Sequence, residues 1–184
     1  MPAIICLLRG VNVGGHNKIA MDALRDVCSS LKLRTPKTYI QSGNVVFGTT
    51  ERDLGKLAKR IEDCIEKEHH FRPAVMLRTS AELRDVVARN PFASRKGLDP
   101  AKLVVSFLAQ APSAAEAKLM SGIKVGPEEL HVSGRELFIY FPDGQGHSKL
   151  PVALDRAAKI PATARNWNTV LKLLAMAEEI ESSA

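Results

Sequence analysis

The sequence predicts an α+β chain made of two related halves, each alternating short buried strands with amphipathic helices. Three observations carry the prediction. A continuous apolar run at 3–8, and a stretch at 103–108 that is apolar except for Ser106, have the length and composition of buried strands. Apolar residues at helical spacing surround them. Two strand-rich stretches break at Ser42-Gly43-Asn44 and at Ser133-Gly134-Arg135, tight-turn sequences that lie 91 residues apart.

Taken in order, AIICLL at 3–8 is the first strand, and a loop rich in Gly and Asn follows it from Arg9 to Lys18. Leu24, Val27, Cys28 and Leu31 predict a helix over about 20–32. Thr38 to Phe47 reads as two strands joined at the Ser42 turn. Leu54, Leu57, Ala58, Ile61 and Ile65 mark a second helix, and 73–77 a fourth strand. The order βαββαβ is that of a split βαβ, or ferredoxin-like, unit. The second half repeats much of it. A helix over 81–89 stops at Asn90-Pro91-Phe92, because proline disfavours helix in the residue before it. A strand follows at 103–108. Ser113 with Glu116 three residues on forms a capping box that opens a helix running to Met120. Strands at 129–132 and 136–141 flank the second turn, so an internal duplication fits. Trp167, Val170, Leu171, Leu174, Ala177 and Ile180 form the apolar stripe of a closing helix. Its expected N-cap is Thr163, and Pro161 is the breaker upstream. The expected subdomains are 1–79 and 80–184, the second carrying the C-terminal helix, packed as one unit.

Composition excludes several classes. At 45% apolar and 25% charged residues, the 184-residue chain belongs with folded proteins rather than disordered ones. No apolar run approaches the roughly 18 residues of a membrane helix, and Arg9 ends the first run too soon for a signal peptide, so no membrane partner and a cytoplasmic location are expected. Cys6, Cys28 and Cys64 are odd in number and widely spaced, as buried free thiols are. No His/Asp/Glu set has metal spacing, and no motif calls for a cofactor. The net charge of +6 is uneven: residues 1–79 hold 13 Lys/Arg against 8 Asp/Glu, residues 80–142 hold 8 against 7, and residues 143–184 hold 5 against 5. A basic first half suits anionic partners, either phosphorylated small molecules or nucleic acid.

Four loops carry the polar residues that could meet such a partner. Arg9 to Lys18, with Gly10, Asn12, Gly14 and Asn17, joins a buried strand to a helix start, where backbone N–H groups and the helix dipole favour an anion. It lacks the Gly-Lys-Ser/Thr of a phosphate-binding P-loop and the glycine spacing of a dinucleotide fold. A connection that merely needs positive φ angles explains it equally. In the second loop, Gln41, Ser42 and Asn44 surround the turn, and strand alternation would put Gln41 on a face with Tyr39. The third, 144–150, brings Ser148 and Lys149 together with two glycines. Adjacent residues rarely aim at one another, which disfavours a Ser–Lys nucleophile pair. The fourth holds Arg165, Asn166 and Asn168 at the expected helix start, where unpaired N–H groups again favour an anion. Trp167 fits core packing better than base stacking. His69 and His70 end a helix, while His16 and His147 lie in the candidate loops as acid–base candidates.

RGVNVGGHNKIAMDALRDV, TYIQSGNVVF, the NPF at 90–92, the SKL at 148–150 and the TARNWNT at 163–169 together resemble, in order, the bacterial family catalogued as domain of unknown function 1697. The resemblance covers nearly the whole chain. It implies a tandem of two ferredoxin-like subdomains and no particular activity. It also places Arg9, Gly10, Asn12, Gly14, Asn17, Lys18, Gln41, Ser42, Asn44, Ser148, Lys149, Arg165, Asn166 and Asn168 in the family's motif blocks.

The first functional expectation is a cleft where these loops meet around a small anionic ligand, such as a nucleotide or phosphorylated metabolite. Arg9, Lys18, Lys149 and Arg165 would supply charge, and Asn12, Asn17, Gln41, Asn44 and Asn166 would orient the ligand. RNA binding is the rival, although aromatics are only 5% and the 45–47 strand lacks the aromatic pattern that stacks bases. A protein-interaction module is the third reading, which a large exposed apolar sheet face would favour. Whether the chain is an enzyme, and its oligomeric state, the sequence leaves open.

Overall fold

The computed structural model describes residues 1–183. Its elements are β1 (Ala3–Leu8), α1 (Met21–Ser30), β2 (Arg34–Thr38), β3 (Asn44–Gly48), α2 (Leu54–His69), β4 (Val75–Thr79) and α3 (Ser80–Ala88). After a 3-10 turn at Pro100–Lys102 come β5 (Leu103–Leu108), α4 (Ala114–Ser121), β6 (Glu129–Ser133), β7 (Glu136–Tyr140), α5 (Leu150–Ala157), β8 (Ala162–Asn166) and α6 (Trp167–Ser182). No helix among the described residues is long and apolar enough to cross a membrane.

The strands form two antiparallel four-stranded sheets, ordered β2-β3-β1-β4 and β6-β7-β5-β8. Each is a βαββαβ unit with its first strand central, so the chain is a tandem of two ferredoxin-like units. The repeat reaches single residues. Arg78 is the fourth residue of β4 and faces Ile5, while Arg165 is the fourth residue of β8 and faces Val105. The two closing strands therefore each set a buried arginine at one register position.

In the first unit, alternate residues of the sheet (Ile4, Cys6, Leu8, Val45, Phe47, Val75, Leu77) pack with Leu24, Val27 and Cys28 of α1 and Leu57, Ile61 and Ile65 of α2. The period-2 pattern of the strands meets the 3.6 period of the helices, as an amphipathic helix on a sheet requires. The opposite face is buried too: Ala3, Ile5, Leu7 and Val46 are fully covered. Burial on both faces explains why the sequence shows continuous apolar runs rather than alternation. In the second unit Val104, Leu108, Leu137, Ile139 and Phe141 pack with Met120, Leu150 and Leu154.

Helix ends follow their local chemistry. Asp53 accepts the Lys56 N–H at 3.0 Å to start α2, and His70, at φ 62°, ends it beside Lys67 and His69. The capping box of Ser113 and Glu116 is formed in both directions. Burial pushes the Cys28 thiol up to about 12, with the Cys64 thiol adding to it, so Cys28 behaves as a hydrophobe. Cys64 is half-buried rather than buried, with its Sγ near Ser30 and Glu68.

Three expectations are corrected. The second strand lies at 34–38, upstream of its expected place, and Tyr39–Gly43 is turn. Pro36 masks the strand in the sequence, yet an outermost strand tolerates it, because no neighbour needs its missing N–H. Thr163 is not a helix N-cap: 162–166 is β8, paired with β5, and the helix starts at Trp167. Finally, α5 fills the 150–157 stretch that carried no predicted element.

The chain divides into two compact units, Met1–Asp85 with the chain from Leu171 onward, and Val86–Val170. The boundaries fall inside α3 and α6, where the sequence suggested 1–79 and 80–184. The physical reason is that the end of α6 packs on the first sheet. Gly48 lies against Met1 and Ile180, and Glu181 accepts the Ala3 N–H at 3.1 Å and the Ser80 hydroxyl at 2.5 Å.

Candidate functional site

The predicted residues fall into two sets, one in each unit. In the first, the Arg9–Lys18 loop leaves the end of β1 and returns to α1 through a chain of left-handed residues. Gly10, Asn12, Gly14, Gly15 and Asn17 all have φ between 50° and 81°. This conformation suits Gly and Asn, and it accounts for their concentration here. Asn12 holds the loop closed. Its Nδ2 donates to the Ile19 carbonyl at 2.9 Å and the Gln41 carbonyl at 3.1 Å, while its Oδ1 accepts the Ile19 N–H at 3.0 Å. Asn17 Nδ2 donates to the Gly10 carbonyl at 3.1 Å. Val13 and His16 pair across the tip.

The Gln41–Asn44 turn meets this loop. The Leu8 N–H donates to the Gly43 carbonyl at 2.9 Å. Gly43 has φ 68°, and a Cβ there would sit 2.9 Å from the Leu8 Cβ, so only glycine fits. Asn44 is fully buried, and its Nδ2 donates to the Tyr39 carbonyl and the Ser42 Oγ, each at 3.1 Å. Gln41 lies in the turn rather than on a strand with Tyr39, and it meets the first loop through its backbone carbonyl. The side chains of Asn12, Asn17, Ser42 and Asn44 thus hydrogen-bond within the loops, Asn17 at an exposed position.

What the frame presents is an open depression of 630 Å³ lined by Asn12, Gly15, Lys18, Ile19, Met21, Asp22 and Gln41. Lys18 and Gln41 are exposed. Ala20 occupies the N-cap of α1 with no side chain to cap the helix, so the first turn's N–H groups carry no side-chain acceptor. Asp22 lies here too, but its carboxylate is paired with Arg25. Arg9 and Gly10 precede the depression on the exposed loop stem.

In the second unit the set separates. The Ser148 Oγ donates to Glu128 and accepts the Leu150 N–H at 3.1 Å, starting α5. A depression of 260 Å³ lies over it, lined in part by Glu128, Phe141, Asp143, His147, Ser148 and Lys149. Glu128, which beside Glu129 reads in the sequence as solvated surface, instead has one carboxylate oxygen shielded beside Gly126. Arg165 is buried in β8 rather than at a helix start, and its Nη1 donates to Thr163 Oγ1 at 2.7 Å and the Ala164 carbonyl at 2.8 Å. Asn166 ties the end of β8 to the Ala101 carbonyl at 2.7 Å, and its Oδ1 accepts the Asn168 N–H at 3.0 Å. None of Arg165, Asn166 and Asn168 lines the Ser148 depression. Trp167 is buried, as core packing requires. Phe92 of the NPF segment is buried as well, edge-on to His131 and under Arg95, whose guanidinium holds the Glu129 carboxyl below the usual carboxylate range. Among the described residues no group of His, Cys, Asp and Glu could hold a metal ion.

The chain is similar in structure to the conserved bacterial protein SP0830 from Streptococcus pneumoniae, at 23% identity and a TM-score of 0.73, over 96% of this chain and 98% of that one. At that identity the likeness speaks for the fold alone. No curated protein matches the chain. Residues 1–138 match the family described as "Protein of unknown function (DUF1697)", and with three quarters of its length matched the chain belongs to that family.

Proposed function

We propose that the chain binds a small phosphorylated ligand, such as a nucleotide or phosphorylated metabolite, in the Lys18–Gln41 depression of the first unit. The observation that carries this reading is the juxtaposition of Lys18 with the uncapped start of α1, on loops that spend four polar side chains on their own rigidity. A rigid frame lowers the ordering cost of binding. The α1 dipole and its open N–H groups favour an anion, and Lys18 adds a full charge while the nearby Asp22 is neutralised by Arg25. Of the predicted cations, Lys18 fits this role, whereas Arg165 is built into the second sheet.

RNA recognition on a ferredoxin-like sheet needs exposed aromatics on the central strands. Here β1, β3 and β5 are buried throughout, which supports a small ligand over a stacked RNA strand. The same burial lends less support to a protein-interaction module, which an exposed apolar sheet face would favour. Three free thiols fit a reducing, cytoplasmic setting for such a ligand. The reading is tested by titrating the protein with adenosine monophosphate and inorganic phosphate. A Lys18→Ala variant should bind about tenfold more weakly, the loss of one charge-assisted contact.

A further inference from the structure

We infer that the open edge of β2 carries a second binding site of the first unit, for a phosphate monoester on a flat organic body. The site is a depression of 470 Å³ to which three elements contribute: Arg25 from α1, Lys37 from β2 with Tyr39 just beyond it, and Lys172, Met176 and Glu179 from α6. β2 is the outermost strand of its sheet, so no further strand covers this edge. Strand alternation sends Lys37 and Thr38 to opposite faces. The depression wraps the edge between them, with α1 on one side and α6 on the other. Arg25 Nη1 donates to Thr38 Oγ1 at 2.6 Å, and Lys37 Nζ donates to Glu179 at 2.9 Å.

The charge balance favours an anion: Arg25 is already paired with Asp22, and Lys37 and Lys172 together face the single Glu179 carboxylate. That carboxylate is an exposed partner of Lys37, and Lys172 also acts on it electrostatically. Exposed pairs of this kind are weak and readily exchanged. A phosphate monoester carries close to two negative charges at neutral pH and three acceptor oxygens. It can take Lys37 and Lys172 together, leaving Glu179 to turn out to solvent. The Tyr39 ring and the nearly buried Met176 thioether supply the apolar contact that a bare ion lacks and a flat body uses. Apart from Tyr39, which opens the second predicted loop, these residues lie outside the predicted loops, and no residue lines both this depression and the Lys18 one.

The test is a series of 1H–15N spectra recorded with phenyl phosphate and with inorganic phosphate. Phenyl phosphate should give saturable shifts at 37–39 and 172–179, with tighter binding than inorganic phosphate. Lys172→Ala, an exposed change that leaves the core alone, should weaken it about tenfold. Glu179→Gln should tighten binding, because the competing carboxylate is gone; a purely structural Lys37–Glu179 pair predicts no gain. Lys18→Ala should leave this site unchanged, which keeps failure here distinct from failure of the loop reading. The inference is overturned by the absence of saturable shifts in those segments, by equal binding of inorganic phosphate, by indifference to Lys172→Ala, or by weaker binding in Glu179→Gln.

Discussion

Asn44 shows how a residue type that suggests a ligand can serve the fold instead. It is fully buried at the start of β3, with its amide bridging Tyr39 and Ser42. Asn44→Ala leaves the part-buried Tyr39 carbonyl short of a donor and should cost about 1–2 kcal/mol in a urea melt. If the loops act as the frame for Lys18, binding of adenosine monophosphate should weaken with it. An unchanged melting curve would mean that the turn does not depend on the amide. The sequence made Arg9–Lys18 and Gln41–Asn44 visible as unusual loops, because Gly and Asn concentrate where φ is positive. It could not separate an asparagine that orients a ligand from one that closes a turn. That distinction depends on which carbonyls lie within 3 Å, and for Asn12 those carbonyls belong to Ile19 and Gln41.

Among elements, the strands with continuous apolar runs and the helices with clear stripes were legible, because burial on both faces or on one face writes those patterns directly. β2 and β8 were not. Pro36 hides the first, and the second is five residues of mixed polarity whose arginine is buried. Short strands of this kind are fixed by their partners rather than by their own composition. The end of α6 depends in the same way on distant contacts. Glu181 binds the first residue of β1 and the first of α3. Burial works against its charge, yet the Ser80 hydroxyl, the Ala3 N–H and Arg84 outweigh it and hold the carboxyl below the usual range. A carboxyl whose folded pKa is lowered stabilises the fold above its unfolded value, about pH 4.3, and loses that contribution as pH falls through the lowered value. Glu181→Gln should therefore destabilise the protein by about 1–2 kcal/mol at pH 7 and by much less at pH 3, measured by urea denaturation at both. An equal difference at the two pH values would contradict the assignment.

For the whole molecule, the tandem of ferredoxin-like units follows from βαββαβ order repeated along the chain, and the turn pair 91 residues apart made the repeat visible. The closing helix was expected with the second half, since it follows that half in sequence. Its last turns instead belong to the first unit, where Ile180 meets Gly48 and Glu181 meets Ala3. A chain ending at Val170 should then lose hydrogen-exchange protection in β1 and β3, strands far from the cut in sequence but in contact with the end of α6. Protection retained there would show that α6 is dispensable to the first unit.

The phosphorylated ligand proposed for the first unit would lie against Lys18 and the start of α1, held by the loops at the end of β1. The most direct measurement is a 1H–15N titration of the wild type and of Lys18→Ala with adenosine monophosphate, with inorganic phosphate alongside. Saturable shifts are expected at residues 12–23 and 41, with about tenfold weaker binding in the variant. Shifts absent from those residues, or equal affinity in Lys18→Ala, would contradict that placement.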